Sequence, residues 1–263
     1  MAMAPQQPIP APAPTPAPVL LVTGGGRGIG AATALRAARA GWDLALNCRR
    51  DRAAAEGVAE AVRRLGRRAL VLPADVSDPE QVQALFDTVR RQLGPLRGLV
   101  NNAGVVDVAQ RVDEMSPARL QRMFAVNVLG SFYCAQQALR QMSTRHGGAG
   151  GAIVNLSSVA ARLGAPGQYV DYAAAKGAID SFTLGLAREV AAEGVRVNAV
   201  RPGIIDTEIH ASGGQPERAR QLAPQLPMQR AGTADEVAAL VCWLLSDEAG
   251  YTTGALVDVS GGR

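Results

Sequence analysis

Tyr172 and Lys176 are four residues apart in an alanine-rich stretch, Tyr172-Ala-Ala-Ala-Lys176. At helical spacing the two side chains share one face and can act on one substrate. A free phenol titrates near ~10, too weak an acid or base for work at neutral pH. A fixed cation beside it favours the phenolate and is expected to bring the value down. Lys176 is also the only lysine among the chain's 27 basic residues, all the others being arginine. A compact ammonium can insert beside a phenol and hold sugar hydroxyls, whereas a guanidinium is planar, wider and forked. The plain alternative is a solvated pair on a helix face.

Such a pair needs a scaffold, and from Val19 onward the chain alternates apolar strands with amphipathic helices. Strands are expected over Val19–Thr23, Asp43–Asn47, Ala69–Leu72, Leu99–Val100, Ala152–Leu156, Val195–Val200 and Leu256–Val259. Helices are expected over Ile29–Ala40, Arg52–Leu65, Pro79–Leu93, Pro117 to about Met142, Tyr172–Ala192 and Ala234–Leu245. This alternation predicts an α/β protein, with a parallel sheet, helices on both faces and right-handed crossovers. Residues 1–18 differ in kind. Proline and alanine alternate there without charge, so a disordered or polyproline-like tail is expected, followed by one domain over 19–263.

Between the first strand and first helix lies Thr23-Gly24-Gly25-Gly26-Arg27-Gly28-Ile29-Gly30. Glycines there permit positive φ and bring backbone N–H groups to an anion at a helix N-terminus. The spacing is T-G-x-x-x-G-x-G, with Gly24, Gly28 and Gly30. Together with Asn101-Asn102-Ala103-Gly104, Ser158, Tyr172-x-x-x-Lys176 and Arg201-Pro202-Gly203, it resembles the short-chain dehydrogenase/reductase family across Val19–Arg263. Glucose-dehydrogenase-like and ketoacyl carrier-protein reductase-like members are the nearest in look.

The resemblance implies a Rossmann-like doubly wound sheet, a nicotinamide cofactor, and hydride exchange with a carbonyl or secondary alcohol. It implies Tyr172 as acid or base, Lys176 on the nicotinamide ribose, and Ser158 as donor to the substrate oxygen, with Ser157 its competitor. Asn127 matches the asparagine that holds a water near the lysine; a helix asparagine otherwise makes a kink or a backbone bond. Tyr169 is set aside as the acid, because Ala173 and not lysine lies four residues on. Asp75 and Val76 match the adenine side, Asn102, Ala103 and Gly104 line the cofactor, and Ile205 and Thr207 meet the carboxamide after Pro202 and Gly203.

The register of the second strand puts Cys48, Arg49 and Arg50 where an acidic residue would take a ribose 2′-hydroxyl, and Arg27 adds a cation on that side. Guanidinium groups suit a 2′-phosphate, so NADP(H) is expected over NAD(H). Asp51 is the counter-argument, as a helix N-cap or as a ribose ligand. For the substrate, Asp107, Gln168 and His210 are polar candidates. Thr207–Pro227 is expected to form a mobile flap, and Arg145 and Arg188 match the docking cations of carrier-protein reductases. Small residues at Ala173, Ala174, Ala175, Gly177, Ala178 and Gly185 permit close helix pairing, and a homotetramer is expected.

Composition argues against other classes. The net charge of +4 comes from arginines scattered along helices, without the aromatic-lined basic stripe of a nucleic-acid binder. No apolar run reaches membrane-spanning length. Cys48, Cys134 and Cys242 lack metal-like spacing and suit reduced thiols in a cytoplasmic protein. With two histidines, no metal is expected. A catalytically silent NADP-binding sensor would have no need of serine, tyrosine and lysine together.

Overall fold

A computed structural model describes residues 16–263. The tail expected over 1–18 lies outside that range as far as residue 15. The seven strands are β1 (Val19–Val22), β2 (Asp43–Cys48), β3 (Ala69–Pro73), β4 (Leu96–Asn101), β5 (Gly151–Leu156), β6 (Val195–Pro202) and β7 (Leu256–Val259). They form one all-parallel sheet in the order β3-β2-β1-β4-β5-β6-β7. The strand order reverses between β1 and β4. Open α/β sheets bind ligands in the crevice beyond the strand carboxyl ends at such a switch.

The apolar pattern of β1 explains how the layers form. Val19 and Leu21 join one buried cluster, while Leu20 and Val22 join a second on the opposite face, as period-2 alternation requires. The first cluster is completed by α3 (Pro79–Gln92), α5 (Gly130–Met142) and α7 (Val170–Val190). The second is completed by α1 (Gly28–Arg39), α2 (Arg52–Arg64) and α10 (Ala234–Leu245). Helix starts are set locally. Asp51 accepts the Ala54 N–H at 3.0 Å, and Asp78 accepts from Glu80 and Gln81 ahead of Pro79. Thr233 and Glu236 form a reciprocal capping box.

Most boundaries fall within two residues of the sequence expectation, and two departures are larger. β4 starts at Leu96 instead of Leu99, because Gly98 lets the strand pass Leu20 and Trp42; a Cβ there would lie 2.7 Å from Leu20 Cδ1. The segment expected as one helix from Pro117 is α4 (Pro117–Phe124), a wide five-residue turn at Ala125–Leu129, and then α5. The remaining short helices are α6 (Ala160–Leu163), α8 (Ile209–Ser212) and α9 (Arg218–Leu222). The last two lie inside the expected flap. Among the described residues no helix is long and apolar enough to cross a membrane.

Candidate active site

Apart from Asn127, every residue expected to hold a cofactor or do chemistry falls at the carboxyl edge of the sheet or on α7. Gly24 to Gly30 follow β1, Arg49 and Arg50 follow β2, and Asp75 and Val76 follow β3. Asn102 to Gly104 follow β4, Ser158 follows β5, and Gly203 to Thr207 follow β6.

The glycine turn is held by backbone-directed bonds. Gly24 and Gly28 have φ of 62° and 52°, a region that side chains rarely tolerate. A Cβ on Gly30 would come within 2.6 Å of Asn102 Nδ2 and press on the Gly24 carbonyl. That amide donates to Thr23 O at 2.9 Å and Gly24 O at 3.0 Å. Thr23 Oγ1 accepts the N–H groups of Asn102 and Ala103, both at 3.0 Å. The turn and the β4 loop are therefore one unit, with the N-terminus of α1 open beside it. Thr207 closes over this turn, 3.4 Å from where a Cβ of Gly28 would be.

Beyond β2 and β3, Arg49 Nε meets Asp75 Oδ2 at 2.8 Å. Asp75 Oδ1 accepts the Ser77 hydroxyl at 2.7 Å, and Val76 is buried, packed against Gly130. Arg27 and Arg50 are exposed. Asp51 is the α2 N-cap, the first of its two expected roles.

On the other side of the switch point a cavity of about 490 Å³ receives Ser158, Tyr172 and Lys176 together with Asn102, Ile205 and Thr207. The two serines both touch the cavity and differ in burial and partners. Ser157 is buried and donates to the Lys176 carbonyl at 3.2 Å. The Ser158 hydroxyl reaches the cavity and accepts the Ala160 N–H at 3.1 Å. Lys176 is buried, its ammonium donating to Leu156 O at 2.6 Å and lying 5.5 Å from the centre of the Tyr172 ring.

One expectation is corrected. Lys176 was expected to lower the Tyr172 pKa, but burial wins. It pushes the phenol up to about 12, opposed only by the Ser158 hydroxyl. Burial pushes the ammonium down to about 8, with Asp180 opposing. Removing a charge from water outweighs the attraction of the neighbouring ammonium.

Asn127 sits within the wide turn. Its Oδ1 accepts the Val105 N–H at 3.1 Å, and its Nδ2 donates to Val105 O and Met123 O, both at 3.0 Å. The kink and the backbone bonds weighed from sequence are both present, and wide turns of this kind recur at functional sites. Gly104 lies against it, since a Cβ there would be 2.8 Å from Asn127 Oδ1 and 3.7 Å from Lys176 Nζ.

Of the substrate candidates, Gln168 and His210 line the cavity and Asp107 does not. Asp107 is engaged by Arg122, whose charge draws it away. His210 bonds to Ile205 O at 2.9 Å, and burial holds its pKa below the ordinary value. Arg188 is sixteen residues along α7 from Tyr172, about 24 Å. Arg145 pairs at that same end with Glu193 at 4.0 Å. Neither reaches the cavity.

Sequence reasoning missed several contributors. Tyr169 lines the cavity with the Arg218 guanidinium 5.3 Å above its ring; its position three residues before Tyr172 was the available signal. Arg218 and Arg263 gave none. The helix that carries Tyr172 is tethered by a buried ion pair, Arg119 Nε to Asp171 Oδ2 at 2.8 Å, with Arg119 also donating to Val108 O at 2.7 Å. A buried ladder links Asn101 to Asn155 and Asn155 to Thr183, each at 2.9 Å, and locks β4, β5 and α7 together.

Comparison with known proteins agrees with this geometry. Residues 24–263 match the family model described as enoyl-(acyl carrier protein) reductase. The chain is 51% identical over 235 residues to the uncharacterized oxidoreductase YgfF of Escherichia coli K12, covering 89% of this chain and 95% of that one. The chain is a short-chain dehydrogenase/reductase. It is an enzyme of the oxidoreductase class. The crystal structure of a short-chain type dehydrogenase/reductase from Mycobacterium marinum superposes with a TM-score of 0.87 at 33% identity, covering 94% of this chain and 95% of that one. A short chain dehydrogenase from Burkholderia cenocepacia J2315, solved in complex with NADP, gives 0.84 at 35% identity and covers 92% and 96%.

Proposed function

We propose that this short-chain dehydrogenase/reductase is an NADP(H)-dependent enzyme that interconverts a carbonyl and a secondary alcohol, with Tyr172 as proton donor in reduction and acceptor in oxidation. The observation that carries the reading is the meeting of Ser158 and Tyr172 on one cavity, with Lys176 buried behind them. A carbonyl oxygen gathers negative charge as its carbon is reduced, so donors aimed at that oxygen are what the reaction needs. Ser158 supplies a hydrogen bond from its hydroxyl and Tyr172 a proton from its own. A phenol held at about 12 keeps that proton until an oxyanion forms beside it.

The residues present fit a nicotinamide dinucleotide. The glycine turn leaves the α1 N-terminus open to a pyrophosphate, and Gly104 keeps the floor clear above Asn127 and Lys176. The bound dinucleotide supplies or accepts the hydride. An ammonium carries three donors, and with one on Leu156 O Lys176 can hold ribose hydroxyls with the others.

Support for the 2′-phosphate comes from Arg49, Arg50 and Arg27 around the end of β2 and from Asp51 being used as a cap. Exposed Phe132 on α5 and Leu184 on α7 support a homotetramer formed through those helices. A carrier-protein substrate has less support, because Arg145 and Arg188 lie at the far end of α7.

The test is initial-rate measurement with NADPH and NADH across a panel of ketones. NADPH should be used at least ~10-fold more efficiently, and Arg49→Ala should erase most of that margin, about 1.4 kcal/mol. Equal efficiency with both cofactors overturns the NADP reading. NADPH protection against unfolding without oxidation on any carbonyl would favour the silent binder.

A further inference from the structure

We infer that Arg218 is a specificity-determining residue that selects carbonyl substrates bearing a negative charge several bonds from the reacting carbon. The inference rests on the carbonyl reading above and names the substrate class. Among the described residues that line the cavity there is no aspartate or glutamate, and the wall is largely apolar, with Val106, Leu163, Ile204 and Ile209. Arg218 faces into it from α9. Its Nη1 donates to Gln215 Oε1 at 2.6 Å and its Nη2 to Gln168 Oε1 at 2.8 Å, while its carbon lies 5.3 Å from the Tyr169 ring centre. All three partners are neutral. They aim the guanidinium without cancelling its charge, and no carboxylate among the described residues pairs with it within 4.0 Å, unlike Arg49, Arg119 or Arg230.

A guanidinium has five donors, so three remain for a ligand, and charge-assisted bonds to a carboxylate are the strong ones. Tyr169 stands at the start of α7, three positions before Tyr172, and both line the cavity. The cation lies over the Tyr169 ring, on the same cavity as the proton donor and beside apolar wall. A substrate that satisfies both ends is an oxo acid with a hydrophobic body between carbonyl and carboxylate. A sugar offers neither the charge nor the apolar surface.

The test compares 4-acetylbenzoate with its methyl ester, using the NADPH-loaded enzyme. The ratio of kcat/KM, carboxylate over ester, should exceed ten and should fall at least tenfold in Arg218→Gln. Arg218→Lys, which keeps the charge, should retain part of the preference. Calorimetric binding to the NADPH complex should show the same ratio. The inference is overturned if the ester is used as well as the acid. It is also overturned if Arg218→Gln lowers both equally, the result of a mere latch between the flap and Gln168. If neither ketone is reduced, the ketone panel decides the carbonyl reading separately, and binding of acid against ester still decides the charge selection.

Discussion

The two sides of the sheet's switch point are built from different materials. On the cofactor side, the turn after β1 and the loop after β4 are joined through backbone groups, with Thr23 Oγ1 taking two N–H groups and Asn102 giving to two carbonyls. Few residue types fit there, because the constraint is on the main chain itself. On the substrate side, the segment from Thr207 to Pro227 reaches the body through side chains, Arg218 to Gln168 and to the face of Tyr169. Many residue pairs could make such contacts. Backbone-defined ground tolerates few residue types, and side-chain contacts leave the segment that makes them freer to vary.

Tyr172 lies on the seam between the two sides, and its loss should give the largest effect. Tyr172→Phe keeps the ring and its packing and deletes only the hydroxyl with its proton, so kcat should fall by ~10²–10⁴ while NADPH binding, read by fluorescence titration, stays within twofold. Retention of turnover would mean that some other group supplies the proton, and the seam would lie elsewhere.

The contrast between the sides is sharpened by one substitution in each. Gly30→Ala drives a methyl into Asn102 Nδ2 and the Gly24 carbonyl, and overpacking of this kind costs about 1–3 kcal/mol. Gly213→Ala in the flap, also at a buried position, meets Asp107 O at 3.2 Å and Val106 Cγ2 at 3.3 Å. These are looser contacts that a shift of a few tenths of an ångström relieves, so its cost should stay below about 1 kcal/mol. Urea melts of the two variants check this. The alanine at position 30 should also abolish protection by NADPH, and the one at 213 should not. Equal losses would remove the distinction between a backbone-built and a side-chain-built side.

The same distinction explains what could be read in the sequence. The strands, the glycine turn and the Tyr172–Lys176 pair were legible, because period-2 apolar runs, positive-φ glycines and i, i+4 spacing each have one structural solution. The adjoining Ser157 and Ser158 could not be told apart from sequence, and only the fold shows that the Ser157 hydroxyl is committed to the Lys176 carbonyl. Arg218 was not legible, since nothing in Thr207–Pro227 is periodic and two of its three partners, Gln168 and Tyr169, lie on the far side of a fold contact. Neither was Arg119, whose pairing with Asp171 spans 52 positions. The effect of burial on Tyr172 was misjudged for a related reason: spacing shows that a cation is near, but only packing shows how much water both groups lose.

Lys176 gives the smallest and most specific check of that last point. Its pKa is about 8 in the folded chain against 10.5 for the ordinary side chain, so between those values the unfolded state carries a proton that the folded state lacks. Stability must then rise with pH across that window, and the penalty of burying the charge is present in full below it. The phenol acts in the opposite sense higher up, because a folded value of about 12 against 10.0 lets the folded state keep a proton that the unfolded one loses. From pH 7.5 to about 9.5 the thiols of Cys48, Cys134 and Cys242, all pushed up by burial, act in the same sense as the phenol and are unchanged by a substitution at Lys176. The lysine itself adds on the order of 1 kcal/mol once water penetration is allowed for. For a chain of this length that is about 2–4 °C in Tm. The cofactor-free protein should gain it relative to Lys176→Met, in which the titrating group is gone and the packing largely kept. If the difference between the two melting curves is flat with pH, the ammonium is not desolvated, and Lys176 belongs to the solvent and not to the seam between cofactor and substrate.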